Sequence, residues 1–242
     1  MTIPLQDDHS PHAIAARLDE KPKARYLREW VYGGIDGVVT TFAVVAGVAG
    51  ADLSAAVILI IALAGLLGDG FSMAAGCYSS TKTDEDNYKR LHSYEQQSVQ
   101  HNPDGETEEI RQIFKKKGFK NQDLENIVQT ITANKKLWVD TMMVEEYGLT
   151  ESHHNAWHAG LHTFIAFFIC GFMPVLPFIV NLDGALYIST IVSGLTFFAI
   201  GALKSQWSAK AWWWHGGETF IIGCIAACVA YGTGYALKGL LL

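Results

Sequence analysis

The feature that most constrains this chain is its division into long apolar runs interrupted by one long polar stretch. Half of its residues are hydrophobic and 17% are charged, yet the mean hydropathy is only +0.16. The apolar residues must therefore be concentrated, and nearly all the charge lies before Trp30 and between Lys82 and Glu151. The apolar runs fall at 29–51, 53–80, 157–180, 185–203 and 219–241, and each approaches the roughly 20 residues that a helix needs to cross a bilayer. Lipid offers no hydrogen-bond partner to a backbone, so such segments must satisfy themselves as helices. The expectation is an all-α, polytopic membrane protein. It has five transmembrane helices and a small cytoplasmic helical domain inserted between spans two and three.

Basic residues set the orientation. Arg17, Lys21, Lys23, Arg25 and Arg28 precede the first span, the insert carries Lys82 to Lys136, and Lys204 and Lys210 lie between spans four and five. The corners at Gly50–Ala51–Asp52 and at 181–184 carry none, and Lys238 alone sits on the far side. By the positive-inside rule the N-terminal arm (1–28), the insert (81–155) and the four–five loop are cytoplasmic. The arm has no apolar h-region, so no cleaved signal peptide is expected, and the missing targeting segment points to a bacterial inner membrane over a vacuolar one. The net charge of −6 argues against nucleic-acid binding. All four cysteines, Cys77, Cys170, Cys224 and Cys228, fall in apolar runs and imply no disulfide framework.

The insert is too long and too polar for a passive loop. Asp104–Gly105–Glu106 followed by Ile110, Ile113 and Phe114 predicts a helix ending at Gly118. Asn121 predicts the cap of a second, carrying Leu124, Ile127, Val128 and Ile131, and a third covers about 135–147 before Gly148.

Several side chains do not belong in a membrane unless they work there. An acidic residue at the bilayer centre costs about 2.5–3.5 kcal/mol on insertion scales, yet Asp36 lies early in span one. Thr40 follows one turn later, and Gly33 and Gly37 are spaced for a close helix contact. In span two Asp69, Met73 and Cys77 recur every four residues on one stripe. An oxygen–thioether–thiol ladder suits iron(II) or manganese(II) better than calcium, with sulfur favouring the later transition metals. The insert repeats the chemistry: Glu106 and Glu109 at i, i+3 beside Glu108, Met142 and Glu146 at i, i+4 flanked by Met143 and Glu145, and Glu95 upstream. Methionines exposed beside glutamates on a solvated helix are expected to bind metal. His154, His158 and His162, with His153 adjacent, read first as ordinary interfacial residues, and otherwise as a metal-access stripe or a proton-linked group. No Walker A loop, His–Glu–x–x–His or Gly–x–Ser–x–Gly is present, and no nucleophile–base pair points to an enzyme.

Gly33–Gly34–Ile35–Asp36–Gly37–Val38–Val39–Thr40–Thr41 and the residues on to Gly47 resemble the first-span signature of the vacuolar iron transporter family. Gly68–Asp69–Gly70–Phe71–Ser72–Met73 resembles its second-span motif, and Asp140–Thr141–Met142–Met143–Val144–Glu145–Glu146–Tyr147 the segment closing its cytoplasmic metal-binding domain. Pro174–Val175–Leu176–Pro177 in span three also fits. The resemblance implies a homodimer of five-span protomers exchanging iron(II), often manganese(II), for protons. It implies translocation residues at Asp36 and Met73, and cytoplasmic metal ligands at Glu106, Glu109, Met142, Met143 and Glu146. Cys77 stands where that family typically has glutamate, and Gln96, Gln97 and Ser98 leave the region around Glu95 poorer in glutamate. The expected activity is export of Fe2+ or Mn2+ from the cytoplasm against protons, along Asp36, Thr40, Asp69, Met73 and Cys77, with no tightly bound cofactor. The alternative is a membrane-anchored metal sensor or store that does not transport.

Overall fold

The computed structural model describes residues 10–19, 26–151, 154–208 and 210–241. Among these, all regular structure is helical. In chain order the helices are α1 (Pro11–Asp19), α2 (Leu27–Gly50), α3 (Ala55–His101), α4 (Pro103–Lys116), α5 (Asn121–Thr132), α6 (Lys135–Glu145), α7 (Ala156–Phe172), α8 (Leu176–Ile179), α9 (Ala185–Lys204) and α10 (Trp212–Leu241). Lys21, Lys23, Arg25 and His153 lie outside the described residues, and α1 is a helix that the arm's sequence did not announce. Contacts divide the chain into two compact units. One holds the residues up to Ser79 and from His154 onward, and the other runs from Ser80 to His153.

In the first unit α2 is the central helix, packed by α7, α9 and α10. Its glycines explain why. A Cβ on Gly37 would collide with the Phe167 carbonyl, and one on Gly33 would stand 2.5 Å from the Thr163 carbonyl oxygen. The backbone of α7 therefore rests directly on α2, as small-xxx-small spacing allows. Val38, Phe42, Val45 and Val48 of α2 form a core with Ile58 of α3, Phe178, and Phe197 and Ile200 of α9. At the α2–α3 corner Asp52 adopts φ 57°, and its carboxylate takes an ion pair from Lys238 at 2.8 Å.

Among the described residues four helices, α2, α3, α9 and α10, are long and apolar enough to cross a membrane. The third apolar run differs from expectation: it is a 17-residue helix, α7, followed by a turn and the four-residue α8. Pro174 lacks a backbone N–H and its ring opposes a continuing helix. The carbonyl of Pro174 accepts a hydrogen bond from Ser189 Oγ at 2.6 Å, so the break leaves that polar group satisfied.

The second unit is built around its own core of Val99, Ile110, Leu124, Val128, Ile131, Trp138, Val139, Met142 and Met143. Asn102 Oδ1 caps α4 by accepting from Gly105 N at 3.2 Å, and Asn134 Oδ1 caps α6 by accepting from Lys136 N and Leu137 N. Asn121 is not a cap: it is the first residue of α5, behind Lys120. Gly118 and Gly148 carry φ +102° and +66°, conformations that glycine adopts without Cβ strain.

Candidate metal sites

The second unit gathers four of the expected carboxylates. Glu95 comes from α3, Glu106 and Glu109 from α4, and Glu146 caps the end of α6. Glu95 is only 2% exposed and Glu106 8%. Tyr147 donates its hydroxyl to Glu95 Oε1 at 2.7 Å. Glu95 Oε2 and Glu106 Oε2 are buried with no hydrogen-bond partner. Burial, then the charges of Glu95, Glu109 and Glu146, push the Glu106 carboxyl up to about 7. Burial and the charges of Glu109 and Glu95 raise Glu146 as well, while the Tyr147 hydroxyl opposes that shift.

Buried carboxylate oxygens without donors are costly, on the order of 1–3 kcal/mol each and more when charged. Glu108 and Glu145 show the ordinary alternative. Glu108 takes Arg111 and Gln112, Glu145 takes Lys117, and neither belongs to the buried group. Among the described residues no three His, Cys, Asp or Glu side chains already stand at coordinating distance. A cation among the four would relieve the mutual repulsion that, after burial, pushes Glu106 and Glu146 upward.

The methionines are corrected by the structure. Met142 and Met143 are not exposed: both are buried in the core of the second unit, at 0% and 1% exposure. Trp138, Val139, Met142 and Met143 form a stripe two residues wide at fourfold spacing, and that stripe is the face α6 buries.

In the first unit Asp36 and Thr40 are half-buried on α2, whereas Asp69 is exposed on α3, with Met73 and Cys77 half-buried below it. Asp36 and Asp69 lie within electrostatic range of each other, and the Asp69 Oδ2 leans to within 3.6 Å of where a Cβ on Gly65 would stand. No described residue forms a hydrogen bond or ion pair with either. Sequence reasoning overlooked Glu29. It lies on the same face of α2 as Gly33, Asp36 and Thr40, is 8% exposed, and its Oε2 has no partner. Its spacing of seven residues before Asp36 was the available signal. The histidines turn toward α2. Trp30 Nε1 donates to His162 Nδ1 at 3.0 Å, and Tyr26 stacks on the His162 ring at 4.7 Å and meets His154 edge-on at 5.3 Å.

The model of the VIT family matches residues 27–235. This chain belongs to the VIT family. A vacuolar iron transporter of Toxoplasma gondii is 33% identical over 88% of this chain and 74% of its own length. Vacuolar iron transporter 2 of Oryza sativa subsp. japonica is 28% identical over 98% of both chains. Vacuolar iron transporter 1 of Arabidopsis thaliana is 28% identical over 85% of this chain and 83% of its own length. With its apolar helices, this VIT-family chain is an integral membrane protein of a metal-transporter family and not an enzyme. The relatives are named for vacuoles, which lends the expected bacterial inner membrane no support.

Proposed function

We propose that this protein exports iron(II), and manganese(II) where available, from the cytoplasm in exchange for protons, as a homodimer of five-span protomers. The observation that carries the reading is the pair Asp36 and Asp69, two carboxylates on two apolar helices, in each other's field and without a cationic partner among the described residues. A carboxylate facing lipid is expensive. Exposed Asp69 lies beside Leu67 and Phe71, which are 57% and 71% exposed. A second copy covering that face would turn an unfavourable surface into a polar seam. The fifth crossing is made by α7 and α8 together, the break being covered by α9.

The path runs along Glu29, Asp36, Thr40, Asp69, Met73 and Cys77. Carboxylates supply charge, and the thioether and thiol favour a transition metal over calcium. Glu95, Glu106, Glu109 and Glu146 collect the ion on the cytoplasmic side, with Met142 and Met143 as buried thioether walls. Protons return through the carboxylates as metal leaves. Proteoliposomes carrying a pH gradient test the reading: Asp36→Ala should abolish iron(II) flux, and unimpaired flux sinks it. Metal binding without any wild-type flux would instead favour a membrane-anchored sensor or store.

A further inference from the structure

A cavity of about 600 Å3 in the Ser80–His153 unit is lined by none of the four clustered glutamates. Tyr88, Lys89, His92 and Ser93 of α3 line one wall, and Asp140 and Met143 of α6 belong to another, with Glu151 at its margin. The donors are ordered relative to one another. The His92 ring stacks on Tyr88 with centroids 5.8 Å apart and planes 23° apart. His92 Nε2 stands 4.0 Å from Asp140 Oδ1, too far for a hydrogen bond. The charges of Glu151 and Asp140 both reach the Tyr88 hydroxyl, so both carboxylates border the same space as the imidazole.

We propose that His92 and Asp140, with Glu151 drawn in, form a second and weaker site for a divalent first-row transition cation. Metal–nitrogen and metal–oxygen bonds are about 2.0–2.2 Å. A separation of 4.0 Å is thus bridged by one ion at an angle of roughly 145°, and a closure of roughly 1 Å brings the two donors to adjacent positions of an octahedron. The cavity has room for the waters that complete the shell, and imidazole selects transition metals over magnesium or calcium. Lys89 and Lys136 also line the cavity. They offset Asp140 and Glu151, so the ion is held by donor chemistry, not by a field, and exchanges readily. The site stands on this geometry and does not depend on the transport reading, so flux is not its test.

The full-length protein in detergent micelles, loaded with Co2+, provides the measurement. Coordinated imidazole gives an exchangeable N–H proton resonance shifted far outside the diamagnetic envelope, which all-carboxylate sites cannot produce. The wild type should show it, H92Q should lose it, and D140N should weaken Co2+ binding at that site at least threefold. Glu106→Gln should lower the number of ions held in equilibrium dialysis yet leave the resonance in place. Retention of the resonance in H92Q, its absence in the wild type, or unchanged binding in D140N overturns the proposal. D140N keeps size and polarity, so it decides the matter even where H92Q folds poorly.

Discussion

Replacing Glu106 by glutamine removes a charge while keeping the shape, and its consequence can be worked through from the structure. Burial and three neighbouring carboxylates push this group from 4.5 to about 7. Each pKa unit is worth about 1.4 kcal/mol, so ionised Glu106 costs the metal-free fold up to roughly 3 kcal/mol. The sign follows from linkage. The folded state holds its proton more tightly than the unfolded one, so the stability is complete below pH 4.5 and is lost as pH rises through 7. Without metal, Glu106→Gln should leave α4 and α6 about as protected as wild type at pH 5. At pH 8 the variant should be the better protected, by up to on the order of a hundredfold. Hydrogen exchange followed by mass spectrometry on the full-length protein, corrected for intrinsic rates, reads this directly. Bound cation reverses the ranking, because metal binding releases the proton. Wild-type Mn2+ affinity should rise about fivefold from pH 6 to pH 7, and the variant should bind more weakly with a flatter profile. If Glu106→Gln gains no protection at pH 8 and wild-type affinity ignores pH, the buried-carboxylate argument is wrong.

Tyr147→Phe removes the donor to Glu95 Oε1; a hydrogen bond to a charged group is worth about 1.5–3 kcal/mol, and calorimetry should show about tenfold weaker Mn2+ binding. Met142→Leu conserves volume in the core and should cost less than about 1.5 kcal/mol, so any large loss of iron(II) affinity in a binding isotherm reports the missing thioether. Gly37→Ala drives a methyl group into the Phe167 backbone, whereas nothing lies within 4 Å of a Cβ on Gly76. The first should lower the detergent melting temperature by several degrees, and the second should leave it unchanged or slightly raised through reduced chain entropy.

The spans with clean hydrophobic signals were legible to within a few residues: 29–51 against Leu27–Gly50, and 185–203 against Ala185–Lys204. Their boundaries coincide with turns made of Gly, Asp and Asn, whose chemistry is local. The break in the third run was also written locally, in Pro174 and Pro177, but uniform hydrophobicity hid it. The methionine error has a different cause. Met142–Met143 beside two glutamates suggests a solvent-facing ligand pair, yet Trp138 and Val139 one turn earlier already mark that face as core. What no local pattern could give is pairing between distant helices. Tyr147 meets Glu95 across 52 positions, and His92 meets Asp140 across the α3–α6 packing. Those contacts exist only once the core of the second unit has closed.

On the proposed reading, a transporter that loads its cargo at four carboxylates risks holding it too well, since passage needs binding strong enough to load and weak enough to leave. The arrangement around Glu106 meets both demands with one device. A carboxyl pushed up to about 7 is only partly ionised near neutrality, so an incoming cation competes with a proton for it. That competition weakens the site without removing a ligand and ties occupancy to pH. Asp36 and Asp69 face the same problem from the opposite side. On the proposed reading a second copy covers Asp69, which is exposed on α3 and has no ion pair among the described residues, and that covering does more than hide a charge. Such a dimer would hold two pairs of like charges that a proton or a metal ion relieves, and alternating between those two occupants is what the proposed exchange requires.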